Sequence, residues 1–266
     1  MSQLPEFNKP PIIEVVFGIQ FEPIPLEAPK VGAFWQRIRK DYPKTQTAPL
    51  LPAVKEMFGG HGAQQEISFF QTSIQRTFFL DETEAWLVQL QPDRFLTNWR
   101  RLDPTADYPR YASVKAKFED SVSRFLHFCS EEALGNPRVN QLELTYINHI
   151  ALDAGELDLA SVGKIFRDLQ WGKPRDVLPE PESLAWKVTF PIHEITSRLH
   201  VSLNHAIRRL DEKPLFILEL TVRGMPAADS APPWNEWFNA SHERIVRAFA
   251  DLTTDFAHQN LWSRIR

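Results

Sequence analysis

Residues 11–21, PIIEVVFGIQF, set Ile13, Val15, Phe17, Ile19 and Phe21 at every second position, with Glu14, Gly18 and Gln20 on the other side. A period of two predicts a half-buried β-strand. From Leu26 to Lys40 the period lengthens, and Val31, Phe34, Trp35 and Ile38 form a helical stripe that Tyr42-Pro43 ends. Residues 43–65 hold three prolines and three glycines and read as an irregular connection. The runs EISFFQTS, IQRTFFLD, EAWLVQLQ and RFLTNWR follow, the later ones separated by Asp81-Glu82-Thr83 and Pro92-Asp93, and predict an antiparallel meander. Tyr111, Val114, Phe118, Val122, Phe125 and Cys129 then recur at steps of three and four before Gly135, which predicts a long helix with a glycine cap.

The remainder repeats that order. QLELTYINHIAL reads as a strand, residues 159–169 as a shorter helix, and KPRDVLPEPES as a break. The strands LAWKVTFPI, RLHVSLNHAI and PLFILELTVRG follow, and Trp234, Phe238, Ile245, Phe249, Leu252 and Phe256 mark a last long helix after Pro232-Pro233. The expected fold class is α+β. Two similar halves, 1–135 and 136–266, each run strand, helix, antiparallel strands, long helix, as two sheets or as one continuous curved sheet covered by helices. The same order occurs in each half of TATA-box-binding-protein-like folds, a likeness of architecture that supplies no function.

Charge narrows the function classes. Lys+Arg number 30 and Asp+Glu 34, giving a formal net charge of -4, and each half carries 15 basic against 17 acidic residues, so no basic half offers a broad nucleic-acid platform. Cys129 is the only cysteine, which excludes an internal disulfide, a cysteine-rich zinc site and a Cys-x-x-Cys pair. The start MSQLPEFNKPP lacks the order of a signal peptide, and no apolar run approaches the ~20 residues of a membrane span. A cytoplasmic protein without membrane association is expected.

The densest chemistry lies in RFLTNWRRLDPTADYPRY, residues 94–111. Alternation puts Phe95, Thr97 and Trp99 on one face and Leu96, Asn98 and Arg100 on the other. Packing accounts for the cluster if Trp99 lies under the following helix while Asn98 or Arg100 holds the 101–110 loop and Tyr108 fixes the helix start. Binding accounts for it if Arg100 or Arg101 meets an anion or a partner carboxylate. Asn98, Trp99, Arg100, Arg101 and Tyr108 are therefore the candidate binding residues. Glu14, Glu143 and Glu219 stand among apolar strand residues, where convergence would make an acid/base or divalent-metal site and plain alternation would leave them solvated. His200 and His205 are five apart and His149 and His193 stand alone, without zinc-ligand spacing. No Gly-x-Ser-x-Gly elbow occurs, and Gly59-Gly60-His61-Gly62 lacks the Gly-Lys-Ser/Thr ending of a phosphate loop. No metal, cofactor or catalytic residue is expected.

PPIIEVVFGIQF, RFLTNWR with the following YPRY, LTYINHI and SHERIVRAFADLTTDF resemble a sporadically distributed bacterial family of proteins roughly 250 residues long, Asn98-Trp99-Arg100 with Tyr108-Pro109 being the most specific part. The resemblance spans nearly the whole chain. It implies a shared fold and supplies no reaction. Where similar proteins often carry an arginine before the tyrosine of the Tyr-Ile-Asn segment, this chain has Thr145, so a role of that arginine does not transfer. The expected function is that of a non-catalytic interaction or regulatory protein with a protein partner or a second copy of itself. A defence or toxin-neutralising setting suits a sporadic family. The alternatives are nucleic-acid binding through an aromatic and arginine face including Arg100, Arg101 and Arg110, and hydrolysis at a carboxylate site.

Overall fold

Strand β1 (Ile12–Phe21) turns Val15, Phe17, Ile19 and Phe21 to one side, where all four are buried, as its alternation requires. It is the hub of the computed structural model, which describes residues 3–60, 62–69, 74–152, 158–171, 176–208, 211–227 and 230–266. On one flank β1 pairs with β7 (Arg94–Arg100), and on the other with β8 (Val139–Ala151). Beyond β7 come β6 (Trp86–Gln91), β5 (Arg76–Leu80) and β2 (Lys44–Ala48). Beyond β8 come β11 (Pro214–Gly224), β10 (Ser197–Ile207) and β9 (Ala185–Ile192). The order β2-β5-β6-β7-β1-β8-β11-β10-β9 is one nine-stranded antiparallel sheet, and the fold is α+β. Of the two sheet arrangements the sequence allowed, the continuous one is found.

Helices cover the apolar face. α1 (Ala28–Ile38) buries Phe34 against Phe79 and Phe95, while α2 (Arg110–Glu131) lies over β7 and β1. α4 (Asn235–Leu252) lies over β11 and β8. Phe17 joins both long helices, its ring centroid 5.2 Å from Phe118 of α2 and 5.1 Å from Phe238 of α4. Such buried ring pairs combine ~2–3 kcal/mol of burial each with about 1 kcal/mol of ring–ring attraction.

Three expectations change. Residues 43–65 are not an irregular connection: they supply β2, then β3 (Ala53–Met57), which pairs with β4 (Gln64–Ser68) in a second, two-stranded sheet. Part of EISFFQTS therefore leaves the expected meander, and its residues 70–73 lie outside the described residues. The stretch 159–169 is a 3-10 turn at Leu159–Ser161 followed by one helical turn, α3 (Val162–Ile165). Finally, the last helix stops at Leu252, and Phe256 belongs to a separate α5 (Asp255–Asn260), whose start the Thr254 hydroxyl caps by accepting from the Ala257 amide.

Candidate functional site: the polar sheet face and its strap

The side of the sheet away from the helices is polar. Pairing register places Gln91, Arg94, Gln20 and Gln141 in one row, Leu96, Gly18, Glu143, Arg223 and Arg198 in the next, and Asn98, Val16, Thr145, Thr221 and His200 in a third. The fourth row runs Arg100, Glu14, Ile147, Glu219 and Ser202. Alternation alone would leave these residues in water. Instead Gln20, Gln91, Arg94, Asn98, Gln141, Thr145, Thr221 and Arg198 are buried.

What buries much of this face are residues 49–60 and 62–68, a strap that leaves the β2 edge and reaches the opposite arm. Its backbone is bound step by step by side chains of successive strands. Leu51 exchanges two hydrogen bonds with the Gln91 amide of β6, at 3.1 and 2.9 Å. Arg94 of β7 donates to the Pro52 carbonyl at 3.0 Å, and the Val54 amide donates to Gln20 of β1 at 3.0 Å. Gln141 of β8 donates to the Val54 carbonyl and accepts from the Glu56 amide at 2.9 Å. Arg198 of β10 donates to the carbonyls of Met57 at 2.6 Å and Gln64 at 3.2 Å. Because five long side chains satisfy strap peptide groups, the strap is held with little use of its own side chains.

Glu56 is the exception. Its carboxylate, buried beneath the strap, meets Arg198 at 2.6 Å, His200 at 2.8 Å and Gln65 at 2.6 Å, with Arg223 at 3.9 Å. Burial raises its pKa, but the hydrogen bonds from His200, Gln65 and Arg198 outweigh that and hold it at about 2. Glu143 is likewise pushed up by burial and, on balance, held below the ordinary value by Arg223, 2.6 Å away, and Arg94.

Glu14, Glu143 and Glu219 do share this face. Glu14 and Glu219 flank Ile147 in one row, whereas Glu143 is engaged by Arg223. Burial raises the Glu14 pKa, opposed by a 2.6 Å hydrogen bond from Asn98. The void beside Gly18, Arg94 and Glu143 measures about 10 Å³, no more than a water occupies. Among the described residues no group of three or more His, Cys, Asp and Glu side chains is placed to hold a metal ion.

The candidate binding residues separate. Asn98 does not hold the 101–110 loop: it links Glu14 to Gln89, whose amide reaches it at 2.8 Å. Nor does Arg100, which donates to the Glu84 carbonyl of the β5–β6 turn at 2.9 Å. Trp99 lies on the helix side, buried against Tyr108 with ring centroids 5.4 Å apart. The Tyr108 hydroxyl lies 3.3 Å from that of Tyr146, which in turn contacts His242 Nδ1 at 2.8 Å. Arg101 lines a cleft at the end of the sheet together with Arg110. Sequence reasoning missed the side chains that grip the strap. A signal was present, since glutamines and arginines recur on the polar face of strand after strand, and AVKEM and QQEIS flank a glycine-rich turn.

No protein-family model matches the chain, and no curated protein is similar to it. No helix of the described residues is long and apolar enough to cross a membrane.

Proposed function

We propose that the protein is a non-catalytic interaction protein that presents β4 to a polypeptide partner. One observation carries this reading. β4 is exposed at all five positions and, among the described residues, pairs as a strand only with β3, so that beyond Gln64, whose carbonyl accepts from Arg198, its outer edge is open to a further strand. Ile67 is 57% and Phe69 82% exposed beside that edge, while Glu56 fixes the hairpin from below. An anchored edge with apolar side chains suits a partner that adds a strand, its backbone supplying affinity and its side chains selectivity. The nucleic-acid alternative called for Arg100, Arg101 and Arg110 on one face, and Arg100 is turned away to Glu84. The carboxylate alternative has three glutamates on one face, one of them neutralised by Arg223.

A photo-crosslinking side chain at Phe69, with exposed Val177 as control, tests the reading in extract of the native cell. The expected result is one discrete adduct from position 69, reduced by Ile67→Lys, and none from 177. Size-exclusion chromatography with light scattering then tells a second copy from a different chain. Equal labelling from both positions, or none from 69, overturns it.

A further inference from the structure

A second feature lies at the far end of the sheet from the strap's glycine turn. The chain before β1, the loop after β7 and the start of α2 enclose a cleft of about 640 Å³, within the ~300–1,000 Å³ typical of small-molecule sites. Its charged lining is unbalanced. Lys9, Arg101 and Arg110 face it against a single carboxylate, Asp107. The first turn of α2 adds no acidic residue.

The cations differ in how far they are already satisfied. Arg110 donates to the Phe7 carbonyl at 3.2 Å and lies 4.0 Å from Glu6, which is held more closely by Arg266 at 2.6 Å. Arg101 has no such arrangement. It is partly buried, its guanidinium lies 5.9 Å from the Trp99 ring centroid, its Nε is buried without a hydrogen-bond partner, and Asp107 attracts it through space without closing to an ion pair. Lys9 forms no ion pair among the described residues, although its backbone amide is fixed by the Trp262 carbonyl at 3.1 Å. A buried guanidinium N–H normally takes an anionic or carbonyl partner, because removing it from water without one is costly. The lining also includes the apolar Pro11, Ile150 and Trp262, with Tyr108 and His149 among them.

From this juxtaposition we infer that the cleft binds a small organic oxyanion, a phosphate or carboxylate head on Arg101 and Lys9 with a flat or aliphatic body against Pro11 and Trp262. The site is separate from the β4 edge and does not depend on the partner reading.

Calorimetric titration of the full chain at constant ionic strength tests it with phenyl phosphate, benzoate and inorganic phosphate, sodium chloride serving as the reference. Phenyl phosphate or benzoate should bind more tightly than inorganic phosphate, and the better of the two names the head group. Arg101→Gln should weaken that probe at least ~10-fold, the loss of one charge-assisted hydrogen bond. Exposed Lys9→Gln should weaken it in the same direction, which keeps the test open should Arg101→Gln misfold. Arg37→Gln, on the outer face of α1, should leave it unchanged. No binding above chloride, or equal weakening by Arg37→Gln, overturns the inference.

Discussion

Glu56 and Arg198 are 142 residues apart in the chain and meet at 2.6 Å, with side chains 0% and 8% exposed. Their pairing joins a hairpin grown from the first half of the chain to a strand of the second.

Removing one partner of so enclosed a pair is expected to cost about 3–5 kcal/mol, since the other charge stays buried and alone. Glu56→Ala should therefore lower the urea midpoint and speed hydrogen exchange at the Val54 and Glu56 amides, which Gln20 and Gln141 otherwise protect. Glu56→Leu with Arg198→Met should recover part of the loss. If Glu56→Ala unfolds no more easily than the wild type, the strap is held by its backbone alone.

The same carboxylate sets an acid response. Its pKa in the folded chain is held at about 2, below the ordinary 4.5, so its contribution is fully present above pH 4.5 and is lost as pH falls toward 2. Glu14 works in the opposite sense: burial raises its pKa, so its charged form destabilises the fold at neutral pH and protonation relieves that. Hydrogen exchange followed from pH 5 to 3, corrected for the intrinsic rate, should show the strap amides losing protection before those of β1 and β8. Simultaneous loss would assign the acid response elsewhere.

Asn98→Ala deletes the donor to Glu14 and the acceptor for Gln89, two groups of the polar face. A loss of about 1–3 kcal/mol is expected, with the Glu14 pKa rising further. Carboxyl titration by NMR reads the second effect directly; an unmoved Glu14 would remove Asn98 as its partner.

Trp99→Ala should cost about 3–5 kcal/mol, because the indole is 4% exposed beneath the start of α2. Thermal unfolding checks it, and a change under 1 kcal/mol would place the ring outside the core.

Cys129 is fully buried, and burial pushes its thiol up to about 12. It should stay unreactive toward a thiol reagent in native buffer and react fully in denaturant. Rapid native labelling would contradict the packing of α2.

The sheet was legible because its strands bury one side each: Val15, Phe17, Ile19 and Phe21 announce β1, and Trp99 opposite Asn98 was assigned to the correct face. The long helices were legible for the same reason, through Val114, Phe118, Val122 and Phe125. The strap was not, because its grip is on backbone atoms. Gln20, Gln91 and Gln141 look like ordinary solvated residues until a peptide segment lies over them, and nothing in the periodicity of residues 49–57 says that it will. Arg101 and Arg110 were singled out together, but Lys9, which lines the same cleft, comes from the chain start, a meeting that only the closed sheet creates.

The β1–β8 pairing, which runs from Ile12 opposite Asn148 to Phe21 opposite Val139, has a practical result for anyone dissecting the molecule. Cutting the polypeptide at residue 135 would not release two modules. It would unzip the middle of a shared ladder and strip β1 of a neighbour while stranding β3 without its arginine dock. Fragments 1–135 and 136–266 should each be sticky alone and regain solubility when produced together.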